Sequence, residues 1–224
     1  MKKDKINVYL KASMIFSIVF VLFLIGTLVI DVTNNGVDNT NIGFSTINLY
    51  FKDIFVYNHF FYMFTQILGY LSIFIFLFFV GIGMYQLIKY KGIQKVDKDI
   101  VDLGFIYITL FLIYVLFELI CINYRPIDVG TNLEASFPSS HTMLVIVVFG
   151  TLFVEADYRI KNKNIRLLSK LFSLLVIMIM ITFRLLSGVH WFTDIIAGII
   201  IGVSLVLLFK GLTNNIKIAQ ELSE

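Results

Sequence analysis

Three polar side chains lie close together near the C-terminal end of the chain, between two long apolar runs. The segment from Phe183 to Asp194 reads FRLLSGVHWFTD and contains Arg184, His190 and Asp194. A charged side chain at bilayer depth costs about 3 kcal/mol on insertion scales, so such residues usually serve a function. His190 and Asp194 are four residues apart, which on a helix lets the carboxylate accept a hydrogen bond from one imidazole nitrogen. The other nitrogen keeps its lone pair, as a nucleophile or general base requires.

A second arginine and a second histidine follow the same pattern of isolated polar groups. Arg125 ends an apolar run in INYRPID, and His141 begins the next run in ASFPSSHTM. Arginine forms bidentate, charge-assisted hydrogen bonds with phosphate oxygens and stays charged at any working pH. Arg125 and Arg184 could therefore clamp one phosphoryl group. His141 comes from another segment than His190 and could act as a general acid toward a leaving group.

The PSSH tetrapeptide before this run predicts an anion site at a helix start. Pro138 suits an early helical position, because it has no N–H to leave unbonded. The N–H groups of Ser139, Ser140 and His141 would then point out of the positive end of the helix, where phosphate binds well.

The composition is that of an integral membrane protein. The 224 residues are 58% hydrophobic, 16% aromatic and only 15% charged, and the mean hydropathy is +0.89. Six runs reach the length of about 20 residues that a membrane helix needs, at about 9–30, 60–88, 102–123, 139–157, 167–187 and 190–210. We predict an all-α fold, a bundle of six transmembrane helices that forms a single membrane domain over residues 1–224.

The distribution of basic residues predicts how this bundle is oriented. With six spans, Lys52, Arg125 and Arg184 fall on one side, which leaves 15 of the 18 lysines and arginines on the other. Cytoplasmic loops carry the excess of basic residues, so both termini are predicted to be cytoplasmic. The three polar segments then meet at the outer face of the cell membrane. The stretch 31–58 is polar at first and aromatic later, which predicts a loop and a segment at the membrane interface.

Several other classes of site are disfavoured by the residue types available. Cys121 is the single cysteine, so neither a disulfide nor a cysteine-based zinc site can form within the chain. No basic stripe with interleaved aromatic residues suggests a nucleic-acid partner. Trp191 is expected to anchor a helix at the membrane interface. Glu155 and Asp157 are expected to form solvated ion pairs at the inner end of the fourth run.

The spacing of these residues resembles that of the type 2 phosphatidic acid phosphatase superfamily, which includes membrane lipid phosphatases and the soluble vanadium haloperoxidases. Its signature runs Lys, six residues, Arg-Pro; then Pro-Ser-Gly-His; then Ser-Arg, five residues, His, three residues, Asp. This chain has Arg125-Pro126, the PSSH of residues 138–141, and Arg184 followed at the same spacings by His190 and Asp194. The resemblance covers the region from about 118 to 194.

The resemblance implies a role for each matched residue. His190 would attack phosphorus and become transiently phosphorylated, with Asp194 orienting it. His141 would protonate the leaving oxygen and later activate water. The phosphoryl oxygens would be held by a further set, namely Arg125, Arg184, Ser139 and the amides near Ser140. No metal and no other cofactor is implied.

Three positions depart from the signature. Ser140 replaces the glycine, Phe183 replaces the serine before the second arginine, and Glu118 replaces the lysine. Glu118 is the largest change, because a carboxylate near bound phosphate would repel it unless it is protonated or neutralised. It lies two helical turns from Arg125, about 10 Å deeper in the membrane. We expect Glu118 to pair with an arginine or with a distal group of the substrate, and the site to accept a different head group.

The resemblance and the residues together predict a metal-independent phosphatase that removes the terminal phosphate from a lipid phosphate or pyrophosphate in the bilayer. Polyprenyl pyrophosphate, phosphatidic acid and phosphatidylglycerophosphate are the candidate substrates. A lipid phosphotransferase is an alternative, in which a hydroxyl instead of water attacks the phosphohistidine. Another is a catalytically silent lipid-binding or scaffold protein of the membrane. A transporter is disfavoured, since the polar residues cluster at one face and not at the midplane.

Overall fold

The structure, a computed structural model, describes residues 2–127 and 133–221. This part of the chain contains no β-strand and seven α-helices, which are α1 (Lys2–Val29), α2 (Ser45–Ile54), α3 (His59–Tyr90), α4 (Lys98–Leu119), α5 (Ser140–Arg159), α6 (Lys163–Leu186) and α7 (Phe192–Glu221). All except α2 are long and apolar enough to cross a membrane. The predicted all-α fold with six membrane helices is therefore confirmed.

Polar residues at the helix starts explain why the helices extend beyond the apolar runs. The side chain of Asn58 caps α3 by accepting hydrogen bonds from the amides of Phe60 and Phe61. Asn162 caps α6 in the same way, so this helix begins four residues before the apolar run at 167. An asparagine at this position satisfies amides that have no partner within the helix.

Helices α5 and α7 are the most buried of the six and pack closely against each other. Two glycines of α7 allow this approach. A Cβ on Gly198 would lie 2.9 Å from the main-chain oxygen of Ser139, and one on Gly202 would lie 2.9 Å from Cγ2 of Ile146. Small residues at a helix interface are the usual means of close packing in membranes, where no hydrophobic force drives helices together.

The short helix α2 packs on the beginning of α7. The buried side chain of Asn48 donates to Oγ1 of Thr193 at 2.8 Å and accepts from the Thr193 amide at 3.1 Å. The ring of Phe51 stacks on that of Phe192 with 4.1 Å between centroids. These contacts hold α2 against the first turn of α7.

Gly188 brings that loop against the chain that follows α2. Its φ of +67° is a left-handed conformation that glycine adopts without strain. A Cβ at this position would lie only 2.6 Å from the main-chain oxygen of Phe55. The amide of Asn58 also donates to the main-chain oxygen of Ser187 at 3.1 Å. The α6–α7 loop is thus held against the segment between α2 and α3.

Two expectations about single side chains are wrong. Trp191 is 1% exposed and donates from its ring nitrogen to the main-chain oxygen of Tyr124 at 2.6 Å, so it lies inside the protein and not at the membrane interface. Glu155 is 2% exposed and accepts from Nε of Arg159 at 2.9 Å. Both side chains can be buried because each has a hydrogen-bond partner, for Trp191 in the stretch after α4 and for Glu155 one turn further along α5.

Candidate active site

Four of the predicted site residues meet at one end of the bundle, the site end. His141 comes from the first turn of α5, Arg184 from the last turn of α6, His190 from the α6–α7 loop and Asp194 from the first turn of α7. Helices that run in alternating directions bring these ends together, although the residues span 54 positions in the sequence.

Arg184 lies at the centre of this group and is fully buried. Its Nη1 donates to Oγ1 of Thr65 on α3 at 2.9 Å. Its Nη2 lies 3.0 Å from Nε2 of His190 and 3.4 Å from Nδ1 of His141. The ring of Tyr62 lies 5.8 Å from the guanidinium carbon. One guanidinium therefore contacts both histidines.

His190 and Asp194 are linked through a third residue, which corrects the predicted direct hydrogen bond. Nδ1 of His190 lies 3.7 Å from Oδ2 of Asp194, too far for a hydrogen bond. Oγ of Ser136 lies 3.0 Å from that nitrogen and donates to Oδ2 of Asp194. The physical reason is that α7 begins at Phe192, so His190 is outside the helix and the i, i+4 geometry does not apply.

This network assigns the protons of the His190 ring. A guanidinium has donors only, so the Nη2 of Arg184 makes Nε2 of His190 an acceptor with a lone pair. Nδ1 then carries the proton and donates to Ser136, whose hydroxyl donates to Asp194. Burial lowers the pKa of His190 well below its usual value, and the positive charges of Arg184 and Arg125 lower it further. The imidazole is therefore neutral and its Nε2 lone pair is available.

Asp194 also joins the segments that form the site. Its Oδ2 accepts from the amide of Trp191 at 3.1 Å, and its Oδ1 faces Nδ2 of Asn123 at 3.4 Å. Its main-chain oxygen accepts from the amide of Ser139 at 2.9 Å. The carboxylate is fully buried. With the bond from Ser136, this one residue connects the stretch after α4, the start of α5 and the start of α7.

Ser139 is placed differently from the prediction. Its amide is used by Asp194, and its hydroxyl pairs with that of Thr142 at 3.0 Å. Since α5 begins at Ser140, the amide of Ser139 does not contribute to an anion site at the start of the helix. Ser140 and His141 lie in the first turn, where amides have no acceptor within their own helix. The predicted anion site is thus reduced to these two amides.

Arg125 and Arg184 leave several donors without a partner. Nη2 of Arg125 pairs with Oε2 of Glu134 at 3.0 Å. Nε and Nη1 of Arg125 and Nε of Arg184 are buried and have no hydrogen-bond partner among the residues that the structure describes. A buried polar group without a partner costs about 1–3 kcal/mol, and more when it is charged. An anion at this position would supply the acceptors.

Glu118 is predicted to pair with an arginine or with a distal group of the substrate, but the carboxylate that pairs with Arg125 is that of Glu134. It lies on the surface of α4 in a small cleft that it shares with Tyr114 and Ser140. The physical reason is that α4 ends at Leu119, so the chain from there to Arg125 is not helical and does not keep Glu118 and Arg125 on one face. Glu134 lies opposite Arg125 in the chain that returns to α5, where its main-chain oxygen accepts from the Arg125 amide at 3.1 Å. A contact with a distal group of the substrate stays a prediction.

An apolar cavity of about 390 Å³ opens from His141 between α3, α4 and α5. A Cβ on Gly69 of α3 would lie 2.8 Å from Cδ2 of His141, so glycine is needed there for the ring to reach the cavity. A second apolar cavity of about 620 Å³ continues along α3 and α4 toward the opposite end, and the two cavities share three lining residues, Phe76, Tyr107 and Phe111. Together they run beside most of the length of both helices.

Sequence reasoning missed four residues of this site, namely Thr65, Gly69, Asn123 and Ser136. Thr65 and Gly69 carried a weak signal, since they are small residues four apart in the bulky run FFYMFTQILGY. Ser136 and Asn123 lie outside any helical pattern. No group of three or more side chains suited to hold a metal occurs in the ranges 2–127 and 133–221.

Comparison with known proteins gives two matches. The sequence profile of the PAP2 superfamily matches residues 65–217. The fold is similar to the crystal structure of a transmembrane PAP2 type phosphatidylglycerolphosphate phosphatase from Bacillus subtilis, with a TM-score of 0.64 and 17% sequence identity over 91% of this chain and 96% of that one. At this identity the likeness concerns the fold. No protein with a curated description matches the sequence.

Proposed function

Because this chain belongs to the PAP2 superfamily, we propose that it is a metal-independent lipid phosphatase of the membrane. It hydrolyses the terminal phosphate of a lipid phosphate or pyrophosphate through a phosphohistidine. The observation that carries the proposal is the position of Nε2 of His190, beside an arginine with a free donor and near a cavity suited to hydrocarbon.

His190 is the nucleophile of this mechanism. Its Nε2 lone pair forms the bond to phosphorus while the bond from phosphorus to the lipid oxygen breaks. The ring becomes positively charged, and the chain of hydrogen bonds through Ser136 to Asp194 stabilises that charge. Asp194 acts at a distance through Ser136, so it orients and stabilises the ring without receiving its proton.

Arg125 and Arg184 bind the phosphoryl oxygens. Their three buried nitrogens without a partner are donors for negative charge that develops in the transition state. Nη2 of Arg184, which lies 3.0 Å from the nucleophilic nitrogen, also places a phosphoryl oxygen next to the attacking atom. Fixed donors in a buried site need little rearrangement as the charge moves, which lowers the barrier.

His141 is the general acid and then the general base. Its Nε2 lies on the side of Gly69 and the apolar cavity. The ring takes up a proton when the negatively charged phosphate binds, gives the Nε2 proton to the leaving oxygen, and is then a neutral imidazole. A lipid whose hydrocarbon lies in the cavity would bring its leaving oxygen to Nε2. After the lipid alcohol leaves, the neutral His141 takes a proton from the water that attacks the phosphohistidine.

The apolar cavities support a lipid substrate over a soluble phosphate ester. They begin at His141 and continue between α3 and α4, on helices that face the bilayer. The candidate head groups are those of polyprenyl pyrophosphate, phosphatidic acid and phosphatidylglycerophosphate, the last being close to the substrate named for the Bacillus subtilis protein. The charge asymmetry of the loops supports an outer-face site with cytoplasmic termini.

The test is phosphate release by the purified protein in detergent with a chelator present. The panel contains the three lipids and a soluble phosphate ester, and His190→Ala is the inactive variant. His59→Ala is the matched control, because His59 is an exposed histidine whose Nδ1 faces Tyr57 and lies outside the site. We expect release from at least one lipid, lost in His190→Ala and retained in His59→Ala.

Two results would contradict the proposal. Equal release by wild type and His190→Ala would show that this histidine is not the nucleophile. No release from any lipid by folded protein would favour a phosphotransferase, if added lipid alcohols accept the phosphoryl group, or otherwise a silent lipid-binding protein.

A further inference from the structure

Lys52 is a third basic residue at the site end that the proposed mechanism does not use. It lies in the last turn of α2, and its Nζ is 5.4 Å from the centroid of the Trp191 ring. Lys52 and His190 line the same small cleft, together with Pro126 and Gly188. All three basic residues that the charge pattern separates from the other 15 therefore lie around His190.

The position of Lys52 is determined by contacts of α2 on both sides. One residue before it, Phe51 stacks on Phe192 at the start of α7. Four residues before it, buried Asn48 forms two hydrogen bonds with Thr193. Three residues after it, the main chain of Phe55 contacts Gly188. The lysine thus starts from a fixed helix, while its flexible stem lets Nζ move by several ångströms.

The charges of the residues already in the site nearly cancel, so a further cation would help to bind a negatively charged phosphate. Glu134 neutralises one of the two arginines by a direct ion pair. The carboxylate of Asp194 lies behind Ser136 and reduces the positive potential further. A phosphate group with two negative charges, or a pyrophosphate with more, therefore meets little net positive charge without Lys52.

We infer that Lys52 binds the phosphate of the substrate as a third cation, reaching over Trp191 into the cleft beside His190. This inference rests on the proposed function and specifies which residues recognise the head group. The ring of Trp191 supports the stem of the lysine and favours its positive charge through a cation–π contact. The ammonium group is a point charge with three donors, so it can follow phosphate oxygens of different head groups.

The test compares three lysine variants in the purified full-length protein. Lys52→Met removes the charge and keeps an apolar stem on Trp191, and Lys52→Arg keeps the charge. Lys89→Met is the matched control, because Lys89 also lies 5.4 Å from an aromatic centroid, that of Tyr85, but at the opposite end of α3. The measurements are KM and kcat for lipid phosphate release, and the affinity for orthovanadate, a phosphate mimic, from its effect on the thermal midpoint.

We expect Lys52→Met to weaken vanadate binding and raise KM by about tenfold, the effect of losing one hydrogen bond to a charged group. Lys52→Arg should stay within about twofold of wild type on both measures. Lys89→Met should match wild type. The loss in Lys52→Met should be larger for a pyrophosphate lipid than for a monophosphate lipid, because the former carries more negative charge.

Unchanged KM and unchanged vanadate affinity in folded Lys52→Met would overturn the inference. A lower thermal midpoint with both values unchanged would also overturn it, since the lysine would then serve only to pack on Trp191. A different result would contradict the proposed function, namely that the wild-type protein releases no phosphate from any lipid. The vanadate comparison needs no turnover, so it still decides the role of Lys52 in that case.

Discussion

Two arginines at opposite ends of the bundle have very different surroundings. At the end away from the site, Arg159 contacts Asp99 at 2.5 Å, Glu155 at 2.9 Å and Asp97 at 3.4 Å. At the site end, Arg184 is more deeply buried, yet within the described part of the chain its side-chain hydrogen-bond partners are only Thr65 and two imidazoles. The first arginine is surrounded by carboxylates, whereas the second has neutral partners.

The unpaired atoms of the two clusters differ in the same way. Within residues 2–127 and 133–221, the buried side-chain atoms without a hydrogen-bond partner at the end away from the site are Oδ2 of Asp102 and Oε1 of Glu155, both acceptors. At the site end, three guanidinium nitrogens of Arg125 and Arg184 are donors without a partner. Burial of charge alone therefore does not identify an anion site. The informative feature is a set of positively charged donors without acceptors, which the oxygens of a negatively charged ligand would satisfy.

Replacing Arg184 and Arg159 by glutamine, one at a time, tests this comparison most directly. These two variants should show the largest effects on turnover and on stability. Arg184→Gln should lower kcat by about 10³-fold, because it removes donors to the developing negative charge. Its stability should hardly fall, since no carboxylate loses a partner. Arg159→Gln should leave kcat within about twofold and lower the free energy of unfolding by about 3 kcal/mol, because Glu155 becomes a buried charge without a partner.

The measurements for this pair are steady-state phosphate release and chemical unfolding in the same detergent. The Arg184→Gln protein must also show the wild-type elution volume in size exclusion. The comparison breaks if Arg159→Gln loses turnover while its fold is intact, or if Arg184→Gln loses stability as strongly as Arg159→Gln.

The fold and several of the polar residues that meet at the site end could be predicted because their signals are local. Each membrane helix needs an uninterrupted apolar run, so the runs mark the helices. Any charge at such depth needs a reason, so Arg125, Arg184 and His190 stand out in the sequence. The spacing from Arg184 to His190 and Asp194, the Arg125-Pro126 pair and the PSSH tetrapeptide then indicate that these residues belong to one site.

The partners of these groups could not be predicted, for two physical reasons. Ser136 reaches His190 only because α7 begins after the histidine, and helix starts depend on caps and tertiary contacts more than on the apolar pattern. Lys52 lies 138 residues before His190, and it comes near because α2 packs on α7 through Asn48 and Thr193. Contacts between segments that are far apart in the sequence produce no regular spacing of residues, so the sequence does not reveal them.

Removal of the Ser136 hydroxyl tests which hydrogen bonds at the site end serve catalysis. Its expected effect on kcat is the next largest after that of Arg184→Gln. Ser136→Ala should lower kcat by about 10- to 100-fold, because Nδ1 of His190 loses the acceptor that orients the ring. KM should change little, since the phosphate ligands remain. Ser139→Ala is the matched control, because the hydroxyl of this buried serine pairs with that of Thr142 and not with His190, so kcat should stay within about twofold. Equal losses in both variants would contradict the hydrogen-bond chain.

Glu118 belongs to neither cluster, so its replacement should have a smaller effect. It lies on the surface of α4 near Ser140, where a charge contributes at most about 1 kcal/mol. Glu118→Lys should therefore change KM by about threefold, and KM should fall for the lipids with the more negative head group. Glu118→Gln should change log KM by about half as much. Steady-state kinetics on the three lipids measures both. A complete loss of turnover in folded Glu118→Lys would instead indicate a specific contact between Glu118 and the substrate.

The charges of Arg184 and Arg125 beside His190 should also show in the pH dependence, where the expected change is smallest. Burial and the charges of Arg184 and Arg125 lower the pKa of His190, so its neutral form persists at a pH where other histidines are protonated. An imidazole with the usual pKa of about 6.5 would be about nine-tenths protonated at pH 5.5, and phosphorylation of the enzyme would slow about tenfold. We expect the rate of phosphohistidine formation, measured in a single turnover, to fall less than twofold between pH 7 and 5.5. A tenfold fall centred near pH 6.5 would show that the arginine charges do not reach the nucleophile.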